Sequence, residues 1–343
     1  MLSRKDFLTG YDGPPVRLME VCGTHTAAIS HSGIAGMLPP AIRLISGPGC
    51  PVCVTVTSYL DRLAALSLEP NHVVVSFGDL LRVKGSDGSL QDAKARGGQV
   101  RMVYSPMDML PLAAAEPHKT FVFAAVGFET TEPVYALLLS EALRLGLRNV
   151  RLLTSLKTMP AVIDWVCTHQ GGIDGFLAPG HVSVITGVAP FVPLAERYGI
   201  PFVIAGFEPP QLIDALYALV KLRGRGVVKN LYPSVVAERG NETARQLVSR
   251  FFEPCDAAWR GMGVLPESGM RLRAEWGAFD AGSAELTEDG GLHPGCRCAS
   301  VLVGEITPSA CPLYGTACTP QSPQGACMVS QEGSCYQYYS NKR

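Results

Sequence analysis

Short runs of apolar and β-branched residues alternate with longer amphipathic segments between residues 15 and 230. The apolar runs predict strands, at residues 16–21, 42–46, 72–77, 101–104, 121–126, 150–154, 175–178 and 202–205. The amphipathic segments predict helices, several of which begin near a proline, at residues 57–67, 106–115, 133–143, 160–170 and 209–222. Strands that alternate with helices in this way indicate parallel sheets covered by helices.

The predicted fold is therefore α/β, with two Rossmann-like lobes that each contain a parallel sheet. We place the lobes at residues 15–130 and 131–234, because about 215 residues suit two lobes better than one. A weak repeat supports this division, since Gly-Phe-Glu follows an apolar run at residues 127–129 and again at 206–208. A shared type of turn from strand to helix explains the repeat equally well.

The pattern changes at residue 235, where one more predicted helix, at 239–251, is followed by sequence rich in Gly, Pro and Cys. No long periodic segment is evident after residue 253. A segment with so little apolar periodicity needs a metal site to stabilise it. We predict a small cysteine-rich domain at residues 235–343 and expect residues 1–14 to join it.

Composition and charge narrow the possible functions. The chain has 343 residues, of which 47% are apolar and 17% charged, so it can bury a large core. Its net charge of −1 argues against a surface that binds nucleic acid. The sequence shows no leader peptide and no uncharged stretch typical of a bilayer span. We therefore expect a cytoplasmic protein with neither nucleic acid nor membrane as a partner.

The eleven cysteines are clustered, which in such a protein favours metal or redox chemistry over structural disulfides. Cys22 directly follows a predicted strand, and His25 lies three residues further on. Helix N–H groups at such a turn stabilise a thiolate, and the imidazole can act as a ligand or a base. A buried, inert cysteine is the alternative.

Two further strand ends carry candidate residues. Cys50 and Cys53 form a Cys-x-x-Cys sequence between a strand and a helix, which is typical of a redox dithiol. Half of a zinc site is the competing interpretation. Glu129, Thr130 and Thr131 follow a third strand. They could orient a ligand or a partner, but the sequence alone favours an ordinary helix cap.

Six thiols lie close together near the end of the chain, at Cys296, Cys298, Cys311, Cys318, Cys327 and Cys335. Sites made of thiolates alone select zinc or iron–sulfur clusters. Zinc sites usually contain short knuckles with two to four residues between the cysteines, and these spacings are different. The wider gaps favour a cubane cluster that uses four of the six thiols. The other two could then form a disulfide beside it.

The cysteine motifs occur together in one known family. Cys-Gly-Thr-His-Thr at 22–26, Gly-Pro-Gly-Cys-Pro-Val-Cys at 47–53 and Gly-Phe-Glu-Thr-Thr at 127–131 come in the same order as in that family, before Cys-Met-Val-Ser and Glu-Gly-Ser-Cys at the end of the chain. Over essentially its whole length the sequence resembles the HypD family of [NiFe]-hydrogenase maturation factors. Tyr314 stands where that family leads us to expect phenylalanine, and this difference removes no thiol.

The resemblance implies two α/β lobes and a third domain with a [4Fe–4S] cluster. The last domain is also similar to the catalytic subunit of ferredoxin–thioredoxin reductase. Carried over by position, this similarity implies a redox pair of Cys298 with Cys327. It implies four cluster ligands, at Cys296, Cys311, Cys318 and Cys335.

The family also implies a function, which is to assemble and transfer the Fe(CN)₂CO group of the hydrogenase. The expected partners are a HypC-type small chaperone and a HypE-type cyanide donor. Cys22 would bind the transient iron and His25 would orient or deprotonate Cys22. Electrons would pass from the cluster through Cys298/Cys327 and then Cys50/Cys53, while residues 129–131 would line the cleft. A stand-alone iron–sulfur disulfide reductase is the alternative, and a zinc-stabilised scaffold is a third possibility.

Overall fold

The computed structural model describes residues 3–290 and 293–341. Residues 1–2 of the predicted segment 1–14, and residues 291–292 and 342–343 of the predicted segment 235–343, lie outside the described residues. Within these ranges the chain is α/β, as predicted. The strands are β1 (Val16–Glu20), β2 (Ile42–Ser46), β3 (His72–Ser76), β4 (Val100–Met102), β5 (Thr120–Gly127), β6 (Val150–Lys157), β7 (Gly175–Ala178), β8 (Phe202–Ile204), β9 (Val228–Asn230), β10 (Phe252–Trp259) and β11 (Gly263–Leu272).

Helices connect and cover these strands. They are α1 (Arg4–Thr9), α2 (Gly23–His31), α3 (Ile34–Met37), α4 (Thr57–Leu68), α5 (Leu90–Ala95), α6 (Met109–Ala115), α7 (Glu132–Arg144), α8 (Met159–His169), α9 (Gly180–Thr186), α10 (Val192–Tyr198), α11 (Pro209–Leu222), α12 (Glu242–Phe251), α13 (Cys298–Leu302), α14 (Ala326–Val329) and α15 (Ser334–Ser340). Short 3₁₀ turns lie at Asp79–Arg82, Pro106–Asp108, Ala189–Phe191, Ala274–Phe279 and Pro308–Ala310. None of the helices in the described part of the chain is long and apolar enough to cross a bilayer.

The strands form two sheets. The first has the order β2-β1-β7-β8-β9 and all its pairs are parallel. The second has the order β10-β11-β6-β5-β3-β4, with parallel pairs from β6 to β4 and antiparallel pairs from β10 to β6. The predicted α/β class with two mostly parallel sheets is confirmed.

The sheets do not follow the predicted boundary between residues 130 and 131. β1 and β2 belong to the first sheet, the next four strands belong to the second, and β7 returns to the first beside β1. The apolar pattern identifies a buried parallel strand but not its neighbour, because such strands are similar in composition. The sequence therefore predicts where the strands lie but not which strands share a sheet.

The N-terminal helix also differs from the expectation that residues 1–14 join the cysteine-rich segment. The ring of Phe7 in α1 lies 5.1 Å from that of Tyr217 in α11, and Arg4 forms an ion pair with Asp214. The helix therefore packs against α11, beside the first sheet.

The hairpin of β10 and β11 lies in the region where the sequence showed no long periodic segment. The register of the pair shifts between Cys255 and Ala257, where a step of two residues in β10 faces a step of four, from Leu265 to Gly269, in β11. This irregularity breaks the alternation of β11. A Cβ atom at Gly269 would lie 2.7 Å from the carbonyl oxygen of Leu156, so β11 can approach β6 only with glycine here. The second sheet thus gains two strands from residues predicted to begin a separate domain.

One apolar cluster connects the first sheet to the cysteine-rich segment. It includes Met19 of β1 and Phe176 of β7 together with Cys53, Cys327 and Met328. The Cys-x-x-Cys turn and the C-terminal cysteines are therefore buried in the same core. This arrangement places the Cys-x-x-Cys turn and the C-terminal cysteines beside the first sheet.

Candidate thiol centre

Cys22 lies where β1 ends and α2 begins, and its side chain is only 7% exposed. Burial raises the pKa of this thiol to about 12, and the nearby carboxyl groups of Glu20 and Glu332 act in the same direction. The backbone N–H groups of His25 and Thr24 lower the pKa, as the sequence predicted, but burial outweighs them. The metal-free thiol is therefore protonated.

Glu20 is a buried residue of this turn that the sequence analysis missed. One carboxyl oxygen accepts a hydrogen bond from the Cys22 N–H at 3.1 Å, and the other accepts one from the Thr26 hydroxyl at 2.5 Å. Burial raises the pKa of Glu20 to about 8. The only sequence signal was a carboxylate at the end of a mainly apolar strand. Glu20 fixes the backbone that presents Cys22.

The imidazole of His25 does not serve Cys22 in the expected way. Its Nε2 donates to the carbonyl oxygen of Gly206 at 3.3 Å, and the ring lies 4.6 Å from that of Phe207. Burial lowers the pKa of His25 to about 4, so the ring is neutral. The contact with Cys22 comes from the backbone N–H of His25, and the side chain joins α2 to the turn after β8.

Cys50 and Cys53 form a disulfide, with their Cα atoms 5.2 Å apart. The turn lies before α4, which begins only at Thr57, rather than in the first turn of a helix. Gly49 contacts the Cys22 turn, because the Gly23 N–H donates to its carbonyl oxygen at 3.1 Å. A Cβ atom at Gly49 would lie 2.4 Å from the Cys22 nitrogen, so this approach requires glycine. The disulfide turn is thus held against Cys22.

The C-terminal Glu-Gly-Ser-Cys motif reaches the same place. The hydroxyl of Thr24 donates to a carboxyl oxygen of Glu332 at 3.3 Å. A Cβ atom at Gly23 would lie 2.4 Å from the Cβ of Glu332. Three of the predicted motifs therefore meet at one point, although they are widely separated along the chain.

The six C-terminal cysteines line a single small cavity together with Leu313, Tyr314, Gly325 and Met328. The sulfurs of Cys298 and Cys327 lie 2.8 Å apart, as expected of neighbouring thiols that can be oxidised to a disulfide. A Cβ atom at Gly325 would lie 2.8 Å from the Cys296 sulfur, so the residue opposite Cys296 must be small.

The six cavity thiols are a donor set of the kind that holds zinc or an iron–sulfur cluster. Among the described residues, no three His, Cys, Asp or Glu side chains converge on one point in the way that a single ion requires. A tetrahedral zinc ion needs four ligands at about 2.3 Å from one centre. A cubane binds its thiolates at separate corners and needs only that they surround one space. The six thiols meet that requirement by lining one cavity.

Residues 129–131 follow β5, and Phe128 just before them belongs to the same apolar cluster as Cys50 and Cys53. A carboxyl oxygen of Glu129 accepts the N–H of Met159 at 2.8 Å, at the start of α8. Thr131 is the residue before α7, but its hydroxyl donates to the Phe128 carbonyl oxygen at 3.0 Å and does not cap the helix. Phe128 stacks on Trp259 at 6.0 Å between ring centres. Glu129 and its neighbour Glu132 both line a cavity beside α12.

A buried cation beside the disulfide turn also escaped the sequence analysis. Arg260 is 1% exposed, its backbone N–H donates to the Val54 carbonyl oxygen at 2.9 Å, and its Nε donates to that of Thr55 at 2.7 Å. It also lies 3.9 Å from Asp289. Nothing in the sequence distinguished Arg260 from an ordinary residue of a hairpin turn. It fixes the β10–β11 turn to the segment that follows Cys53.

Comparison with known proteins identifies the family. Residues 7–342 match the HypD family, described as "Hydrogenase formation hypA family". The chain is 42% identical over 338 residues to "Hydrogenase maturation factor HypD" of Rhizobium leguminosarum bv. viciae, covering 95% of this chain and 88% of that protein. It is 40% identical over 344 residues to the protein of the same description from Escherichia coli (strain K12), covering 96% and 90%. The chain belongs to the HypD family of hydrogenase maturation factors.

Proposed function

We propose that this maturation factor is the redox-active scaffold on which the Fe(CN)₂CO group of [NiFe]-hydrogenase is assembled and from which it is transferred. The main support is the convergence of three motifs at Cys22. The Cys50–Cys53 turn contacts it through Gly49, and the C-terminal segment contacts it through Glu332. A thiol that would bind the iron and a disulfide that can accept two electrons are thereby neighbours.

In this proposal the iron is the substrate and Cys22 supplies one of its ligands. Burial keeps the free thiol protonated, and a bound cation offsets that effect because it favours the thiolate. The hydrogen bond from the Cys22 N–H to Glu20 holds the turn in place while the proton is exchanged for iron. A HypC-type small chaperone would supply a second cysteine ligand.

Cys296, Cys311, Cys318 and Cys335 would hold a [4Fe–4S] cluster, which supplies electrons one at a time when bound. The remaining pair, Cys298 and Cys327, would store two electrons as a dithiol. A Cys298 or Cys327 thiolate then attacks the Cys50–Cys53 disulfide, the second thiolate resolves the mixed disulfide, and the pairs exchange oxidation states. Cys53, Cys298 and Cys327 share one apolar cluster, which favours this exchange over attack by outside thiols.

The reduced Cys50/Cys53 pair would serve cyanide transfer from a HypE-type donor. Cyanide bound to a cysteine sulfur of that partner is a thiocyanate. Two electrons and one proton break its S–C bond and give the partner thiol and cyanide, which binds the iron on Cys22. The dithiol supplies both electrons as it returns to the disulfide. A stand-alone disulfide reductase needs no iron at Cys22.

The test is an infrared spectrum of the protein purified anaerobically with its HypC- and HypE-type partners. We expect bands of metal-bound cyanide and CO for the unchanged chain and their loss in Cys22→Ala. Cys167→Ala is the matched control, because Cys167 lies in α8 and is only partly buried. Bands that persist in Cys22→Ala would exclude its role as an iron ligand. A spectrum without such bands for the unchanged chain would favour the reductase.

A further inference from the structure

A cavity of about 540 Å³ lies beside α12, between the end of α9 and the strands β10 and β11. Glu129 and Glu132 both line it, and they are only 6% and 4% exposed. Ile185, Val248 and Phe252 contribute apolar wall. Two buried carboxyl groups thus share one space with mostly apolar surroundings.

Each of these carboxyl groups has an oxygen without a partner. Glu129 uses one oxygen to accept the Met159 N–H, but its Oε2 and the Oε1 of Glu132 accept no hydrogen bond from the described residues. A buried carboxyl oxygen that accepts no hydrogen bond is costly, because the donors that water offered have been lost. A ligand with several N–H donors would satisfy both oxygens at once.

The charge of the cavity selects the kind of donor. Burial raises the pKa of Glu129 to about 7. Burial also raises the pKa of Glu132 well above its usual value, with a contribution from the nearby Glu129 charge. The pair therefore retains protons at neutral pH for want of a compensating positive charge. A cation that enters the cavity provides that charge and displaces a proton.

We propose that the Glu129–Glu132 cavity binds an ammonium or guanidinium group, carried by a small molecule or by a side chain of a partner. The apolar walls suit the alkyl part of such a group. The other charged residues of the lining are Glu242 and Arg245 of α12 and Arg273 after β11. Arg273 pairs with Glu253 at 3.6 Å and Arg245 donates to the Arg239 carbonyl oxygen at 3.1 Å, so both arginines are engaged by groups other than the two carboxyl groups. This site is additional to the thiol centre of the proposed function.

The first test is isothermal titration calorimetry of the full chain with methylguanidinium chloride. We expect saturable binding that strengthens as the pH rises through about 7, with proton release detectable by comparing two buffers. N-methylurea has a similar shape but no charge and should not bind. A Gly-Arg-Gly peptide that binds as well indicates a partner side chain, and binding of methylguanidinium alone indicates a free small molecule. No saturable binding of either cation would overturn the proposal.

Two variants locate the site. Glu132→Gln should weaken methylguanidinium binding about tenfold or more, because it removes a charged acceptor. Glu141→Gln, which changes a carboxyl of the same helix that pairs with Arg144, should leave the affinity unchanged. Ile185→Trp should abolish binding by filling the cavity while both carboxyl groups remain. Melting curves check that each variant is folded, and unchanged affinity in a folded Glu132→Gln or Ile185→Trp variant would exclude this cavity.

Discussion

At the thiol centre, burial shifts the pKa values of single residues more than local hydrogen bonds do. The helix N–H groups near Cys22 were predictable from its position after a strand, and they act on the sulfur in the predicted direction. Burial depends on residues distant in the chain, such as Glu332, and has the larger effect. For the same reason the orientation of His25 toward Gly206 could not be predicted, because the strand order that brings the turn after β8 close to α2 is set only in the folded chain.

Glu20 makes the stability of the folded chain depend on pH. Its carboxyl stays protonated up to about pH 8 in the folded chain, whereas an unfolded glutamate ionises near pH 4. Its stabilising contribution is complete below the unfolded pKa and is lost as the pH rises through about 8. Between pH 5 and 8, this carboxyl makes the unfolding free energy of the unchanged chain fall as the pH rises. We expect the fall to be smaller in Glu20→Gln, by about 1 kcal/mol per pH unit.

Urea unfolding at several pH values measures this dependence. Glu69→Gln is a suitable control, because Glu69 lies at the surface and pairs with Arg62. Other buried groups contribute to the slope that remains in Glu20→Gln: burial raises the pKa values of Glu129, Glu132 and Glu332, and lowers those of His25 to about 4 and Lys157 to about 7. Equal pH dependence in Glu20→Gln and the unchanged chain would mean that Glu20 is already ionised in the fold.

The helices and strands were predicted more reliably than the pairing between strands. Each predicted strand and helix up to residue 251 is present, with ends that differ by a few residues. The hairpin of β10 and β11 was missed because a bulge and interior glycines remove the alternation by which an edge strand is recognised. The pairing of β1 with β7 was missed because the composition of an apolar strand does not indicate which strand pairs with it.

The hairpin should be sensitive to substitution at Gly269, where β11 lies close to β6. Gly269→Ala places a methyl group 2.6 Å from the Cβ of Ala257 and against the Leu156 carbonyl oxygen. We expect a loss of about 1–3 kcal/mol in the free energy of unfolding, since backbone must move. Gly277→Ala is the control, because a Cβ there has no atom within 4 Å. Urea unfolding that does not separate these two variants would show that the hairpin adjusts freely.

At the scale of the whole molecule, the C-terminal segment is docked onto the Cys22 turn. Gly23→Ala would place a methyl group 2.4 Å from the Cβ of Glu332 and should displace that segment. We expect faster cleavage by protease after residue 330, measured by mass spectrometry over time. Gly36→Ala in α3 should behave as the unchanged chain, because no atom lies within 4 Å of its added Cβ. Equal cleavage rates would contradict the docking role of Gly23.

The proposed [4Fe–4S] cluster should stabilise the segment that forms the six-cysteine cavity. Cys318→Ala should lose the bound iron and expose residues 293–341 to protease, because a small metal-stabilised segment loses folding free energy together with its metal. Cys255→Ala in β10 removes a thiol outside the cavity and should retain iron. Iron analysis and limited proteolysis of both variants test this. Unchanged iron and unchanged protease resistance in Cys318→Ala would show that Cys318 is not a ligand.

The crossing of the chain between its two sheets determines when the protein can fold during synthesis. β1 emerges from the ribosome early, but its neighbour β7 begins only at Gly175. Because synthesis adds about 5–20 residues per second, the edge of β1 that pairs with β7 stays unpaired for on the order of ten seconds or more. The second sheet is likewise incomplete until β11, which ends at Leu272, and the last cysteine follows at Cys335. The first sheet lacks a strand until β9 at Val228–Asn230 has been made, and the second until β11 has been made, so the proposed cluster at the C-terminal cysteines would be loaded after both sheets are complete.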